Sequence, residues 1–210
     1  MPLRQNLIVM NIEGLYTRRQ SYKVNLLRER MVQSGTIITA LTETHLNSNI
    51  LDAEVSMDGY QIIRADRGLN RKKGGVALYI RNDIAAVCKL ICAGSNGVVE
   101  YIMVHIEKYN VVIMNIYRPP RTRTGEFTPV LNSLKLKIDE LQDMSISVIL
   151  CGDFNFPRTN FDLGTTYGGS TEDRTQAANL IRMKEDLCMK QIVDSPRRGE
   201  NFLDLIFVNI

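Results

Sequence analysis

Nine short apolar stretches, separated by polar and turn-forming residues, constrain the fold of this 210-residue chain most strongly. Most are rich in β-branched residues or alternate apolar with polar side chains, which is typical of β-strands. The predicted strands are Asn6–Ile12, Thr36–Leu41, Tyr60–Arg64, Gly75–Arg81, Ala85–Ile91, Tyr101–Lys108, Val111–Tyr117, Ser147–Cys151 and Phe202–Val208. Amphipathic periodicity predicts helices at Tyr22–Ser34, Thr128–Leu141 and Thr171–Ile192. This pattern excludes a helical bundle and predicts an α/β fold in which two sheets pack face to face with helices outside.

The composition limits the class of protein. With 44% hydrophobic residues, the chain can bury a substantial core as one domain over residues 1–210. A net charge of +3 is compatible with polyanion binding without establishing it. No apolar run is long enough for a membrane span or a signal peptide, so we expect an intracellular protein with no membrane association. The four cysteines form no C-x-x-C pair, which favours reduced thiols, with disulfides as the alternative.

The segment Ile149–Asn155 places a carboxylate and a carboxamide directly after an apolar run. Asp153 and Asn155 are two residues apart, so on an extended backbone they share a face and can reach the same small object. Polar groups that leave a buried strand are costly unless they are paired or used, which indicates a site. The same residues are also ordinary in a strand-to-loop turn, so this segment alone leaves both interpretations open.

Other predicted strands also carry polar side chains that a core does not favour. They are Asn11 with Glu13, Glu43 after an apolar run, Asn115 with Tyr117, and Asp204 inside an apolar strand. Each has a structural explanation on its own, but together they predict one shared site. Its donors are oxygens, which points to Mg²⁺, with Mn²⁺ as the alternative, and to phosphoryl chemistry. Phosphate-loop, dinucleotide and GxSxG motifs are absent from the sequence.

The motifs NIEGL, LTETHL, GGVALYIR, NIYRPP, GDFN and RGENFLDLIF, in this order, resemble the endonuclease/exonuclease/phosphatase superfamily. TETHL, YRPP and RG-x-N-x-LDLIF resemble in particular the apurinic-endonuclease-like domain of non-LTR (LINE-type, jockey-like) retrotransposons. The resemblance implies a four-layer α/β sandwich of two mainly antiparallel sheets flanked by helices. It also implies Mg²⁺-dependent nicking of target DNA to prime reverse transcription, a reverse transcriptase domain in the parent polyprotein, and a nuclear location.

The resemblance also implies roles for single residues near the proposed metal. Glu43 resembles the metal-binding glutamate, and Glu13 falls where some relatives have a second metal-site carboxylate. Asn11 resembles the amide beside that glutamate.

Four further residues take implied roles in the reaction. Tyr117 resembles a phosphate-contacting tyrosine, Asp153 the residue that orients or deprotonates the attacking water, and Asn155 its phosphate-binding neighbour. Asp204 resembles the aspartate that orients a catalytic histidine, which in the family lies in a Ser-Asp-His motif after the LDLIF strand. The sequence reaches Ile210 without that motif. We therefore expect a C-terminally truncated domain that lacks its last strand and cleaves weakly or not at all.

Basic residues gather in the predicted loops around this site. They are Arg64, Arg67, Arg71, Lys72 and Lys73; Arg118, Arg121 and Arg123; and Arg197 and Arg198. Any one cluster can be solvated loop charge, but together they predict a DNA-contacting rim with salt-sensitive binding.

Two alternative functions stay open at this point. One is a nuclease-dead nucleic-acid-binding remnant, which the absent Ser-Asp-His motif favours. The other is a phosphoester phosphatase of the same fold, against which LTETHL, YRPP and the basic loops argue.

Overall fold

A computed structural model describes residues 7–17, 21–68, 73–141, 145–193 and 204–209. Its strands are β1 (Leu7–Asn11), β2 (Ile38–Thr42), β3 (Tyr60–Ala65), β4 (Val76–Arg81), β5 (Cys88–Ser95), β6 (Glu100–Ile106), β7 (Val111–Tyr117), β8 (Ser147–Asp153), β9 (Thr159–Asn160), β10 (Thr165–Thr166), β11 (Lys190–Gln191) and β12 (Asp204–Val208). Its α-helices are α1 (Tyr22–Ser34), α2 (Asn82–Ala85), α3 (Thr124–Asp139) and α4 (Thr171–Asp186), with single 3₁₀ turns at Asp52–Glu54 and Glu107–Tyr109.

The strands form two large sheets and one short hairpin. One sheet has the order β1-β2-β4-β3, the other has the order β11-β12-β8-β7-β6-β5, and β9 pairs with β10. The pairs β1–β2 and β7–β8 are parallel, and the remaining pairs within these sheets are antiparallel. Because parallel neighbours end on the same side, β1 with β2 and β7 with β8 present their carboxyl ends at common edges.

Burial divides the molecule into layers. The inner faces of the two sheets pack on each other through branched side chains such as Ile38 and Leu78 from one sheet and Ile113 from the other. Helix α1 covers the outer face of the four-stranded sheet, while α3 and α4 cover the outer face of the six-stranded sheet. The predicted four-layer α/β sandwich is therefore confirmed, with mixed sheets.

Two residues fix how closely the layers and strands approach near the end of β8. Asn115 is fully buried, and its Nδ2 donates to the carbonyls of Leu41 at 2.9 Å and Ala77 at 3.2 Å, which joins the two sheets. At Gly152, φ is +134° and an added Cβ would lie 1.9 Å from the carbonyl oxygen of Ile116. Only glycine therefore permits this approach of β8 to β7, which sets the position of the residue that follows.

Several predicted element boundaries differ from the structure, and the largest differences lie in three elements. The third helix ends at Asp186 instead of Ile192, because the chain turns at Cys188, where φ is +51°, and then enters β11. Helix α3 begins four residues earlier than expected, where a Glu126 carboxylate oxygen accepts the backbone N–H of Arg123 at 2.8 Å. Strand β5 begins at Cys88 because α2 occupies the preceding segment.

Within the described residues, no helix combines the length and apolar character needed to span a membrane.

Candidate active site

The polar side chains predicted from the sequence meet where strands from both sheets end. Asn11 is the last residue of β1, and Glu43 follows the last residue of its parallel neighbour β2. Tyr117 and Asp153 end the parallel strands β7 and β8 and pair in register. Asp204 begins β12 directly opposite Asp153, because β12 runs antiparallel to β8. Pairing within each sheet, and packing of one sheet on the other, thus assemble the site.

The carboxamide of Asn11 joins the two sheets at this point. Its Nδ2 donates to Glu43 Oε1 at 2.9 Å and to Asp153 Oδ2 at 2.8 Å. Its Oδ1 accepts the backbone N–H of Glu13 at 3.1 Å, which fixes the orientation of the amide. One side chain therefore holds two carboxylates from different sheets close together.

Glu43 is ready to act as an anion. The close approach of His45 is the largest influence on its pKa, and together with hydrogen bonds from Asn11 and Tyr117 it outweighs burial and lowers the pKa to about 2. His45 Nε2 lies 3.4 Å from Glu43 Oε2. Both residues have positive φ, +51° for Glu43 and +55° for His45, so the chain bends sharply here to aim them at each other. His45 was not among the predicted site residues, although its i+2 spacing from Glu43 was a signal.

Asp153 has the opposite character. Burial is the main cause that raises its pKa to about 7, and the negative charges of Asp204 and Glu43 add to the rise. Hydrogen bonds from the Asn11 amide and from the Asn155 backbone N–H act in the other direction. Asp153 therefore changes protonation near neutral pH, where a group that exchanges protons with substrate is most effective.

Tyr117 is buried against the same carboxylates. Burial raises the pKa of its phenol, and the charges on Glu43 and Asp153 raise it further, so it stays protonated at neutral pH and can donate a hydrogen bond. The guanidinium of Arg67 lies 5.2 Å from the centre of the Tyr117 ring. Arg67 in turn donates to both carboxylate oxygens of the fully buried Glu100, at 2.6 and 2.7 Å.

This placement corrects the prediction that Arg67 belongs to the DNA-contacting rim. Its side chain is 9% exposed, lies against Tyr117, and has its charge already paired with Glu100. Sequence reasoning also missed its partner Glu100, for which the available signal was a carboxylate at the start of an apolar strand.

Asn155 is held next to Asp153 by its own backbone and side chain. Its N–H donates to Asp153 Oδ1 at 3.1 Å, and its Nδ2 donates to the carbonyl of Arg118 at 2.9 Å. With φ of +51°, Asn155 adopts the left-handed conformation that asparagine tolerates better than most residues.

Arg118 was predicted to contact DNA, and this prediction is wrong because its side chain is fully buried. Its guanidinium donates to Gln176 Oε1 at 2.8 Å, to Asp173 Oδ1 at 2.6 Å, and to the carbonyls of Phe154 and Asn155 at 3.2 and 3.1 Å. It also stacks 4.0 Å from the centre of the Phe156 ring. These contacts satisfy a buried cation and fix the loop that carries Asn155.

The other predicted rim residues differ in their placement. Arg121, Arg123 and Lys73 are exposed, as expected for a contact surface, whereas Arg64 is paired with Asp52 and Asp66. Arg71, Lys72, Arg197 and Arg198 lie outside the described residues.

The described side chains can supply only part of the coordination of a divalent cation. The side chain of Glu13 is exposed, and in the described part of the chain no group of three or more His, Cys, Asp or Glu side chains is arranged to hold a metal. Mg²⁺, however, is usually held by one or two carboxylates with water and substrate oxygens. Glu43, ionised and next to Asp153, fits that smaller requirement.

The chain resembles proteins of known structure over nearly its whole length. An apurinic endonuclease from Archaeoglobus fulgidus is 12% identical, with a TM-score of 0.60, over 97% of this chain and 86% of that one. A mannosyl-6-phosphatase from Bacteroides thetaiotaomicron is 14% identical, with a TM-score of 0.60, over 96% of this chain and 84% of that one. A 3′ phosphatase from Neisseria, solved with a product DNA hairpin, is 15% identical, with a TM-score of 0.61, over 96% of this chain and 85% of that one. At these identities the likeness establishes the fold.

Sequence comparison adds the family. No curated protein sequence matches the chain. The model of the Endonuclease/Exonuclease/phosphatase family matches residues 8–209. The chain therefore belongs to the endonuclease/exonuclease/phosphatase family, whose members are hydrolytic nucleases and phosphatases.

Proposed function

We propose that this chain is a Mg²⁺-dependent DNA endonuclease that cleaves phosphodiester bonds. The observation that carries the proposal is the Asn11 amide, which holds Glu43 and Asp153 together from two sheets. Two carboxylates of very different pKa in one place give one permanent anion and one group that exchanges protons at neutral pH.

In this proposal Glu43 is the protein ligand of the cation, and substrate oxygens and water complete the coordination. When bound, the cation supplies positive charge that offsets the charge developing on the phosphate. Mn²⁺ has the same preference for oxygen donors and is the alternative ion.

The chain's own residues divide the remaining work. Asp153 accepts the proton of the attacking water. Asn11 orients the Asp153 carboxylate through its 2.8 Å hydrogen bond to Oδ2. Tyr117, protonated because burial raises its pKa, donates to a phosphate oxygen. Asn155, which is fixed by Arg118, offers a second polar contact at the same edge. The role of Asp204 follows from its register opposite Asp153, where its charge helps to raise the pKa of that residue.

Nicking of supercoiled plasmid DNA in Mg²⁺ tests the proposal. Glu43→Gln and Asp153→Asn keep the size of each side chain and remove its charge, and each is expected to slow nicking by about 100-fold or more. Glu29→Gln, which changes an exposed carboxylate on α1, is the matched control and should nick like the wild type.

If the wild type binds DNA but nicks no faster than Asp153→Asn, the chain is a nuclease-dead binding protein and the proposal is wrong. A second candidate, hydrolysis of phosphate monoesters, is favoured by the phosphatases among its structural neighbours. Release of inorganic phosphate from a 3′-phosphorylated oligonucleotide, without plasmid nicking, would identify that activity.

We further propose that the domain belongs to a retrotransposon polyprotein that acts in the nucleus and carries a reverse transcriptase. The order of TETHL, YRPP and RGENFLDLIF in the sequence supports this origin. Sequencing the transcript that encodes the chain tests it, with a Ser-Asp-His motif and then a reverse transcriptase expected in the same reading frame. A complete transcript without a reverse transcriptase would contradict this origin and leave the nuclease proposal in place.

A further inference from the structure

A cavity of about 530 Å³ opens beside the candidate active site, between the turn after β7 and the segment that joins β8 to α4. Asn155 forms part of its wall, and the N–H of Asn155 donates to Asp153 Oδ1 at 3.1 Å, so the cavity is one residue away from the candidate base. Its lining includes Phe156, Pro157, Pro120 and Arg121. Its volume lies within the range of about 300–1,000 Å³ that small-molecule sites occupy, which is sufficient for one nucleotide.

The cavity is positively charged. Arg121 and Arg158 line it, both are exposed, and neither forms an ion pair with a residue that the structure describes. Its acidic lining residue, Asp173, already accepts from Arg118 at 2.6 Å and from the Ser170 hydroxyl at 2.8 Å. Two guanidinium groups are therefore left to meet an anion, and guanidinium matches phosphate geometry well.

Local backbone structure holds both arginines at the cavity. The carbonyl of Arg158 accepts the N–H of Tyr167 at 2.7 Å, next to the β9–β10 hairpin. Arg121 has φ of +61°, a conformation that a residue with a Cβ adopts only where the surrounding structure imposes it.

Arg121 also lines a second cavity, of about 450 Å³, with Arg123, Glu126 and Arg67, and the charge of Arg67 is paired with Glu100. Arg121 and Arg123 therefore extend the basic surface from one cavity to the next. A continuous track of this kind suits a polymer with repeated negative charges better than a single small anion.

Building on the proposed function, we propose that the cavity beside Asn155 binds the nucleotide of the DNA strand that adjoins the scissile phosphate. Its backbone phosphate lies between Arg121 and Arg158, and the sugar packs on the proline and phenylalanine walls. Phosphate contacts set the register of the strand and carry no sequence information, so this binding is independent of sequence. Arg158, which was not among the predicted rim residues, is then a DNA-binding residue.

Fluorescence anisotropy with a labelled duplex of about 20 base pairs, in EDTA to prevent metal-dependent cleavage, tests the proposal. Arg121→Ala and Arg158→Ala are each expected to weaken binding about eightfold at 0.1 M salt and to lower the salt slope of log K by about 0.9. Arg158→Lys should retain most of the slope. Arg30→Ala, which removes an exposed arginine from α1, is the control and should bind like the wild type.

The proposal is wrong if both alanine variants bind DNA with the affinity and salt slope of the wild type. It is also wrong if the variants lose affinity for only one of two duplexes of unrelated sequence. Failure of the nuclease proposal gives a different pattern, in which the wild type binds without nicking in Mg²⁺ and the two variants still bind more weakly. Nicking by the wild type, with unchanged KM in both variants, would keep the nuclease proposal and refute the cavity's role.

Discussion

In the metal-free protein, the stability of the Asp153→Asn variant relative to the wild type is expected to increase as the pH rises. Burial, with the charges of Asp204 and Glu43, raises the pKa of Asp153 from 3.8 to about 7. The folded form therefore binds this proton more tightly than the unfolded form. The contribution to stability is fully present below the unfolded pKa and is lost as the pH rises through the folded pKa. Asparagine carries no charge at any of these pH values and still offers an oxygen to the N–H of Asn155. Its amide nitrogen replaces the oxygen that accepts from Asn11, which lowers the stability of the variant by an amount that does not change with pH.

The size of the effect follows from the shift. A difference of one pKa unit corresponds to about 1.36 kcal/mol, so a rise of about three units corresponds to about 4 kcal/mol. The side chain is only 3% exposed, so solvent screening reduces this value little. About a third of this stability is already lost by pH 5, so the wild type loses roughly 2–3 kcal/mol between pH 5 and pH 8.

Urea denaturation of the wild type and Asp153→Asn in EDTA, at intervals from pH 5 to pH 8, measures this difference. The unfolding free energy of the variant minus that of the wild type should grow across the range and level off above pH 7. Asp58→Asn, at an exposed position, is the control and should show no such growth. A constant difference between Asp153→Asn and the wild type would show that the carboxylate is not held protonated by its surroundings, and the assignment of Asp153 as a base would lose its physical support.

Two further perturbations test the surroundings of the site. Arg118→Met should lower the free energy of unfolding by about 3 kcal/mol in urea denaturation, because Gln176 Oε1 and the carbonyls of Phe154 and Asn155 lose their donor. An unchanged midpoint would contradict the burial of Arg118. Mg²⁺ at 100 times its Kd should stabilise the wild type by about 2.7 kcal/mol in thermal unfolding and leave Glu43→Gln unchanged, and equal stabilisation of both would exclude Glu43 as the ligand.

Local patterns in the sequence were sufficient for much of the fold. The bounds of α1 and β7 agree with the predicted Tyr22–Ser34 and Val111–Tyr117, since periodicity and turn residues act over a few neighbouring positions. Past Asp186 the apolar periodicity continues by coincidence, so the sequence alone predicts a longer helix. In the structure the helix ends there, and the chain goes on to pair as β11 with β12.

The polar composition of the site was also visible in the sequence, because a carboxylate or amide at the end of an apolar strand stands out. Its geometry was not. Asn11 reaches Asp153, 142 residues away, only after the two sheets have packed. The opposite pKa shifts of Glu43 and Asp153 depend on which neighbours donate hydrogen bonds and which add charge.

Arg118, inside the YRPP motif, and Arg121, directly after it, show the same difference between what sequence and structure reveal. Sequence placed Arg118 and Arg121 in one basic loop, three residues apart, and gave no reason to separate them. Tertiary structure buries Arg118, because Asp173 and Gln176 on α4 provide acceptors, and leaves Arg121 exposed at a cavity. The sequence by itself determined which elements form and which side chains carry the chemistry. Only the packed structure decided which charges are buried, paired or free to meet a substrate, because desolvation and hydrogen bonding depend on neighbours that are distant along the chain.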